Sequence, residues 1–169
     1  MDKESLRSDV SRETMEKLET YLRLLEQWNP KINLVASHSL EEAWSRHILD
    51  SLQLYEMADP RSKHWVDLGS GGGFPGLVIA ILAFEKAPMM RVTLVESDAR
   101  KCVFLRTVIR EIGAKAEVLN ERIEKIPPLK ADVVSARALA ALPKLRRYVF
   151  QHLAKDGVSI LPKGATWKN

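Results

Sequence analysis

The stretch WVDLGSGGGFPG, residues 65–76, carries five glycines within eight positions, directly after an apolar–acidic run. Glycine is costly in regular structure because it loses more backbone freedom on folding than any other residue. So many together point to a backbone that bends sharply and lies close to something. The uses open to it are a nucleotide-type ligand, a tight structural turn, or a loose loop.

The flanks narrow the choice. Trp65–Leu68 reads as a strand and Pro75–Phe84 as a buried helix. Proline suits a first helical turn, where a missing N–H costs nothing. The glycines therefore sit at a strand-to-helix junction, where free helix N–H groups face any ligand beneath which the loop passes. Further on, the spacing predicts strands over 91–96, 116–119, 131–135 and 157–161, with helices over 98–112 (ended by Gly113) and 142–154. Lys125–Lys130, with its double proline, reads as a loop. Alternating strands and helices of this kind predict an α/β fold with a parallel, Rossmann-like sheet and helices on both faces over residues 65–169.

Residues 1–64 read as a helical extension packed on that core. Met15, Leu18, Leu22 and Leu25 share one face of a helix opened by Ser11, extended by Trp28 and stopped at Asn29–Pro30. A second helix starts at Ser39, where Ser39 and Glu42 form a capping-box pattern, and Trp44, Ile48, Leu52 and Tyr55 line it.

Composition sets the class. The chain has 169 residues, 46% hydrophobic and 28% charged, as expected of one soluble domain. Its longest apolar run, Gly76–Phe84, is nine residues, too short to span a bilayer. The first ten residues hold no apolar signal core. The single cysteine, Cys102, excludes an internal disulfide framework and a cysteine-rich zinc site, and no metal is expected. Cys102 lies among Val103, Phe104 and Leu105 and reads as core. A cytoplasmic monomer is the expectation. Charge is uneven: residues 1–99 hold 11 Lys/Arg against 16 Asp/Glu, and residues 100–169 hold 15 against 6. A basic second half suits a polyanion such as nucleic acid, or is a solvated lysine-rich surface.

Glu96 ends the second strand, twenty residues after Gly76. In open α/β sheets ligands bind beyond the carboxyl ends of the strands, where a carboxylate accepts from both ribose hydroxyls. Glycine loop and acid together point to an adenosine-containing ligand. Gly71, Gly73 and Gly76 fit the dinucleotide fingerprint, and Gly69, Gly71 and Gly73 after Val-Asp-Leu fit S-adenosylmethionine equally. Asp67 favours the second, since an acid at that junction would repel a pyrophosphate.

Several stretches then resemble one family. They are QWNPKINLVA (27–36), RHILDSL (46–52), VDLGSGGGFPGLVIAI (66–81), VTLVESDARKCVFLR (92–106), NERIEKI (120–126), ADVVSARALAAL (131–142) and LPKG (161–164). In that order, over nearly the whole chain, they are similar to the GidB/RsmG family of bacterial small-subunit rRNA methyltransferases. The resemblance implies a class I S-adenosylmethionine-dependent methyltransferase fold and methyl transfer to N7 of a guanine in a conserved loop of 16S rRNA. The family continues past Pro-Lys-Gly with a further helix and an antiparallel strand hairpin, whereas this sequence stops at Asn169.

By resemblance, Gly69 and Phe74 line the cofactor, Ile123 and Glu124 flank its adenine, and Arg137 is a further cofactor-binding residue that reaches the mouth of the site, where it could also orient the substrate. Each has a plainer alternative. Phe74 would staple the helix start, Ile123 would be core, Glu124 would pair with Lys125 or Arg122, and Arg137 would pair with Asp132 or Asp67. His47, Asp50 and Ser51 fall on one helical face. They serve either RNA or pocket contact or, preferably, a hydrogen-bonded tie between extension and sheet. Asn33 is expected in a similar structural role. RNA contact is expected from Arg100, Lys101, Arg106 and Arg110 on one helix, from Lys144, Arg146 and Arg147 on the next, and from Lys163.

The chemistry asks for little else. N7 of guanine carries a lone pair and no proton, so alignment and desolvation suffice without a general base. The fourth strand is followed by SARALA rather than an Asn-Pro-Pro-Tyr tetrad. The expected substrate is 16S rRNA, within an assembled ribosomal particle. The rival readings are an NAD-binding oxidoreductase and a non-catalytic RNA-binding protein that keeps the cofactor fold.

Overall fold

The computed structural model describes residues 6, 8–36, 40, 42–137 and 140–162. Its elements are α1 (Arg12–Ile32), a π-helical turn (Ala43–Ile48), α2 (Leu49–Glu56), β1 (His64–Leu68), α3 (Gly76–Lys86), β2 (Arg91–Val95), α4 (Ala99–Ile112), β3 (Ala116–Leu119), a 3-10 turn (Ile123–Lys125), β4 (Ala131–Ala136), α5 (Leu142–His152) and β5 (Leu153–Ile160). The five strands form one sheet in the order β3-β2-β1-β4-β5, and every pairing is parallel. This is the expected α/β Rossmann-like architecture.

Side chains of the central strands alternate between two cores, as period-two geometry requires. Trp65, Val92, Leu94 and Val133 join a large cluster with α1, α2, α3 and α4. Val66, Leu68, Val95, Val134 and Ala136 join a smaller one with Leu145 and Val149 of α5 and with Ile123 and Ile126. Helices thus cover both faces, and β1 is buried along its whole length. The extension completes the larger core: Leu18, Tyr21 and Leu25 of α1 are fully buried.

Local chemistry explains the element ends. The Ser11 hydroxyl accepts from the Thr14 N–H at 3.1 Å and caps α1. The helix does not stop at Asn29–Pro30 as expected. It runs on to Ile32 and ends where Asn33 turns left-handed (φ 47°) and donates its N–H to the Asn29 carbonyl. The buried Asn29 side chain fixes that exit by accepting from the Val35 N–H at 2.9 Å. Proline removes one bond in a last turn whose outgoing chain is held by others. Asp98 caps α4, and Gly113 closes it at φ 65°.

The last predicted helix ends two residues early, at His152, and β5 starts at Leu153 rather than Gly157. Leu153 pairs with Ala131 and Val158 with Val133, so β5 bulges between them. Gly157 permits this, since a Cβ there would lie 2.7 Å from the Ala131 carbonyl. The expected cap at Ser39 and the basic Lys163 lie outside the described residues.

Candidate active site

β1, β2 and β4 end together at the carboxyl edge of the sheet, and the glycine loop leaves β1 there. Its path is held by backbone bonds: Gly69 and Ser70 both donate N–H to the Val95 carbonyl, at 2.8 and 3.0 Å. Gly69, Gly71 and Gly73 have φ of 69°, 53° and 97°, the left-handed region that favours glycine. Glu96 follows β2, and its carboxylate braces the loop. Oε2 accepts from the Gly71 N–H at 2.8 Å and Oε1 from the Asp98 N–H at 3.0 Å.

A cleft of about 370 Å³ opens over this junction. Gly69, Gly71, Glu96, Ile123 and Glu124 all line it, with Lys101 and Lys144. Ile123 is buried and forms an apolar wall on the 3-10 turn. Glu124 is exposed and lies 4.0 Å from Arg122. Its carboxyl is held below the usual range, first by its own backbone N–H and then by the charges of Arg122 and Lys144. The volume is in the range of small-molecule sites.

Phe74 and Arg137 are not in that lining. Phe74 is buried between the Tyr21 ring (centroids 5.1 Å apart) and the His47 ring (4.7 Å, 26° between planes). It packs the loop against the extension. Arg137 follows β4 and lies against the same cluster, its guanidinium carbon 5.9 Å from the Phe74 ring centroid. Its hydrogen-bond partner is His47, Nη1 to Nδ1 at 3.2 Å, and neither Asp67 nor Asp132. Asp132 instead accepts from the Lys63 and His64 N–H groups.

Asp67 lies fully buried beneath the loop. It accepts from the Ser135 hydroxyl at 2.8 Å and the Gly76 N–H at 3.2 Å, while the Trp65 indole donates to Ser135 at 2.9 Å. Burial pushes its carboxyl up to about 6, against the opposing pull of these bonds and of Arg137. Local sequence patterns do not reveal the Trp65–Ser135–Asp67 chain, because Ser135 lies 70 and 68 positions from its two partners. Nor do they single out Tyr21, whose hydroxyl donates to the Gly72 carbonyl at 2.5 Å.

The trio on the second helix differs in exposure. Ser51 is buried and donates to the His47 carbonyl at 2.6 Å, His47 is half-buried, and Asp50 is exposed. Within the trio, it is His47 that bonds Arg137 after β4. Asn33 serves as the left-handed cap of α1. Cys102 is core: its thiol donates to the Glu96 carbonyl, and burial pushes it up.

The basic residues divide. Arg106 donates to the Val118 carbonyl, Arg110 lies 3.6 Å from Glu111, and Arg100 lies 3.4 Å from Asp98. Lys101 and Lys144 stand in the cleft wall, with Arg146 and Arg147 exposed on α5 beyond them. Among the described residues no group of three His, Cys, Asp or Glu could hold a metal ion, and no helix is long and apolar enough to cross a membrane.

Comparison with known proteins settles the lineage. Residues 14–169 match the family described as rRNA small subunit methyltransferase G, GidB. The chain belongs to the rRNA small subunit methyltransferase G family. A curated GidB-family relative from Ruegeria sp. (strain TM1040), named ribosomal RNA small subunit methyltransferase G, is 52% identical over 97% of this chain and 80% of its own length. Another so named, from Paramagnetospirillum magneticum, is 50% identical over 94% of this chain and 75% of its own. Solved structures extend the fold beyond GidB. One is a putative S-adenosyl-L-methionine-dependent methyltransferase of Methanococcus maripaludis (TM-score 0.60, 13% identity, 79% of this chain and 65% of that one). A second is a mutant of MtNAS in complex with S-adenosylmethionine (TM-score 0.56, 20% identity, 86% and 55%).

Proposed function

We propose that the chain transfers a methyl group from S-adenosylmethionine to N7 of a guanine in 16S rRNA, acting as a cytoplasmic monomer on an assembled ribosomal particle. The observation that carries the reading is Glu96 at the end of β2, its carboxylate 2.8 Å from the Gly71 N–H in the cleft wall. That placement suits a ribose, since the carboxylate keeps lone pairs beyond the two it gives to backbone. Buried Ile123 gives an adenine ring an apolar wall. Family membership supports the rRNA substrate. When bound, S-adenosylmethionine supplies an electrophilic methyl whose C–S bonding pair leaves on sulfur. N7 of guanine brings a lone pair and no proton, so no residue of this chain has to remove one. The chain's task is to hold both partners in line and exclude water.

Two measurements test this. In calorimetry S-adenosylhomocysteine binds and NAD does not. Glu96→Gln lowers the S-adenosylhomocysteine affinity about tenfold or more, roughly 1.4 kcal/mol. Mass spectrometry of 16S rRNA from cells with and without the gene then reads the reaction. Identical guanine methylation in the two strains refutes the proposed activity.

A further inference from the structure

The 3-10 turn that gives the cleft its Ile123 wall is held from behind by α5. Two consecutive residues at the end of that helix reach it. His152 Nε2 lies 3.0 Å from the Ile123 carbonyl oxygen, and the Gln151 amide donates to the Ile126 carbonyl at 2.9 Å. A carbonyl only accepts, so Nε2 carries the proton of the His152 ring. Burial pushes that ring below its ordinary value, against the opposing pull of the Ile123 bond, so it stays neutral at neutral pH. Ile123 and Ile126 pack with Leu145 and Val149 of the same helix, whereas Glu124 and Lys125 between them are exposed. The turn is thus a surface segment whose position is set from one side.

Histidine is a costly residue for that place. His152 is completely buried, and its Nδ1 has no partner among the described residues. A buried nitrogen without a partner lowers stability. A phenyl ring would fill the same space without that cost. What histidine adds is a close donor for the Ile123 carbonyl, whose other donors, the Ile126 N–H and the Gln151 amide, stand at 3.4 and 3.5 Å.

A wall that is in place before its ligand arrives spares binding the cost of ordering it. A wall in place for only about a tenth of the time would weaken binding about tenfold. We propose that His152 is a positioning residue for the cofactor: with Gln151 it fixes the 3-10 turn, so that Ile123 stands preformed against the adenine. The proposal rests on the reading above, in which this cleft takes S-adenosylmethionine with its adenine at Ile123.

The test compares three variants. His152→Phe keeps a buried ring and removes the donor. His152→Gln brings an amide nitrogen to the place of Nε2. Gln151→Met removes the second bond at a half-buried position. Each is measured for thermal melting and for kcat and KM on ribosomal particles. Calorimetry well below the melting temperature gives the affinities for S-adenosylhomocysteine and for 5′-methylthioadenosine, which keeps adenine and ribose and lacks the amino-acid end. His152→Phe is expected to lose about fivefold or more in affinity, by the same factor for both ligands. Its KM for S-adenosylmethionine rises to match, while kcat at saturating cofactor and the KM for particles stay within about twofold. His152→Gln regains most of the affinity. Gln151→Met shows the same pattern to a smaller extent, and carries the test should His152→Phe not fold.

A loss for S-adenosylhomocysteine that 5′-methylthioadenosine does not share overturns the proposal, by placing the effect at the amino-acid end. A raised KM for particles with cofactor affinity intact overturns it as well, because α5 would then act on the rRNA side. So does a lower melting temperature with unchanged affinities, which makes the two bonds purely structural. A wild-type protein that binds neither ligand refutes the cofactor reading and the proposal with it. A wild type that binds both, with His152→Phe and Gln151→Met binding them equally well, refutes the proposal alone.

Discussion

Two residues at the end of β1 make opposite demands. Gly71 has φ 53°, yet a Cβ there would approach nothing in the protein closer than the Gly69 carbonyl at 3.8 Å. Its side of the backbone is free for a ligand. Gly71→Val is therefore expected to abolish S-adenosylhomocysteine binding in calorimetry while costing about 1–3 kcal/mol of stability from backbone strain. Asp67 has the reverse problem, a carboxyl that burial raises to about 6 from 3.8. Its folded value lies above its unfolded one, so between 3.8 and about 6 the native state holds a proton that the unfolded chain has released. The Asp67 contribution to stability falls as pH rises through that window. His47, lowered from 6.5 to about 4, works the other way, and its contribution rises with pH across an overlapping range. Asp67→Asn removes only the first effect. Denaturant titrations are expected to show this variant gaining on the wild type between pH 4 and 7, and a constant difference would contradict it. Gly71 and Glu96 were legible in the sequence because strand, loop and acid follow one another at short range. Asp67 was legible as an acid but not as a buried one, because Ser135, whose hydroxyl it accepts, comes from a different strand.

At the scale of elements, the first four strands and α4 could be read almost to the residue, because apolar runs, Asp98 and Gly113 act locally. The errors fell where a distant contact overrode a local signal. Proline did not stop α1, since Asn29 and Asn33 hold the exit. β5 began early because its edge bulges against Ala131. The basic second half also resolves into parts. Arg106 and Arg110 have structural partners, whereas Arg146 and Arg147 stand exposed on α5 next to the cleft wall. Reversing both charges, Arg146→Glu with Arg147→Glu, is expected to weaken particle binding. The logarithmic salt slope should flatten by about 1.5, some 0.7–0.9 for each lost phosphate contact. Cofactor affinity should not change. An unaltered salt slope would make α5 an ordinary solvated face.

Across the whole molecule, the extension and the sheet meet on the glycine loop. Tyr21 of α1 donates to the Gly72 carbonyl, and a Cβ on Gly73 would lie 2.7 Å from the same hydroxyl. Tyr21→Phe leaves a buried carbonyl unpaired at a cost of about 1–3 kcal/mol. Both the melting temperature and S-adenosylhomocysteine affinity are expected to fall, because the bond that holds the extension also holds the loop. A lower melting temperature with unchanged affinity would separate the two. The central place of β1 has another consequence, for the chain as it is being made. β1 is the middle strand, yet the Ser135 hydroxyl that receives the Trp65 indole is encoded seventy residues later. At about 5–20 residues per second of synthesis, those seventy residues take roughly 4–14 s. For that time a nascent chain holds an unpaired acid and a bare tryptophan at the heart of its future sheet. Non-local pairing of this kind makes folding slow and exposes the chain to aggregation. Expression at lowered temperature or with holdase chaperones should therefore improve soluble yield more than any change to the finished surface.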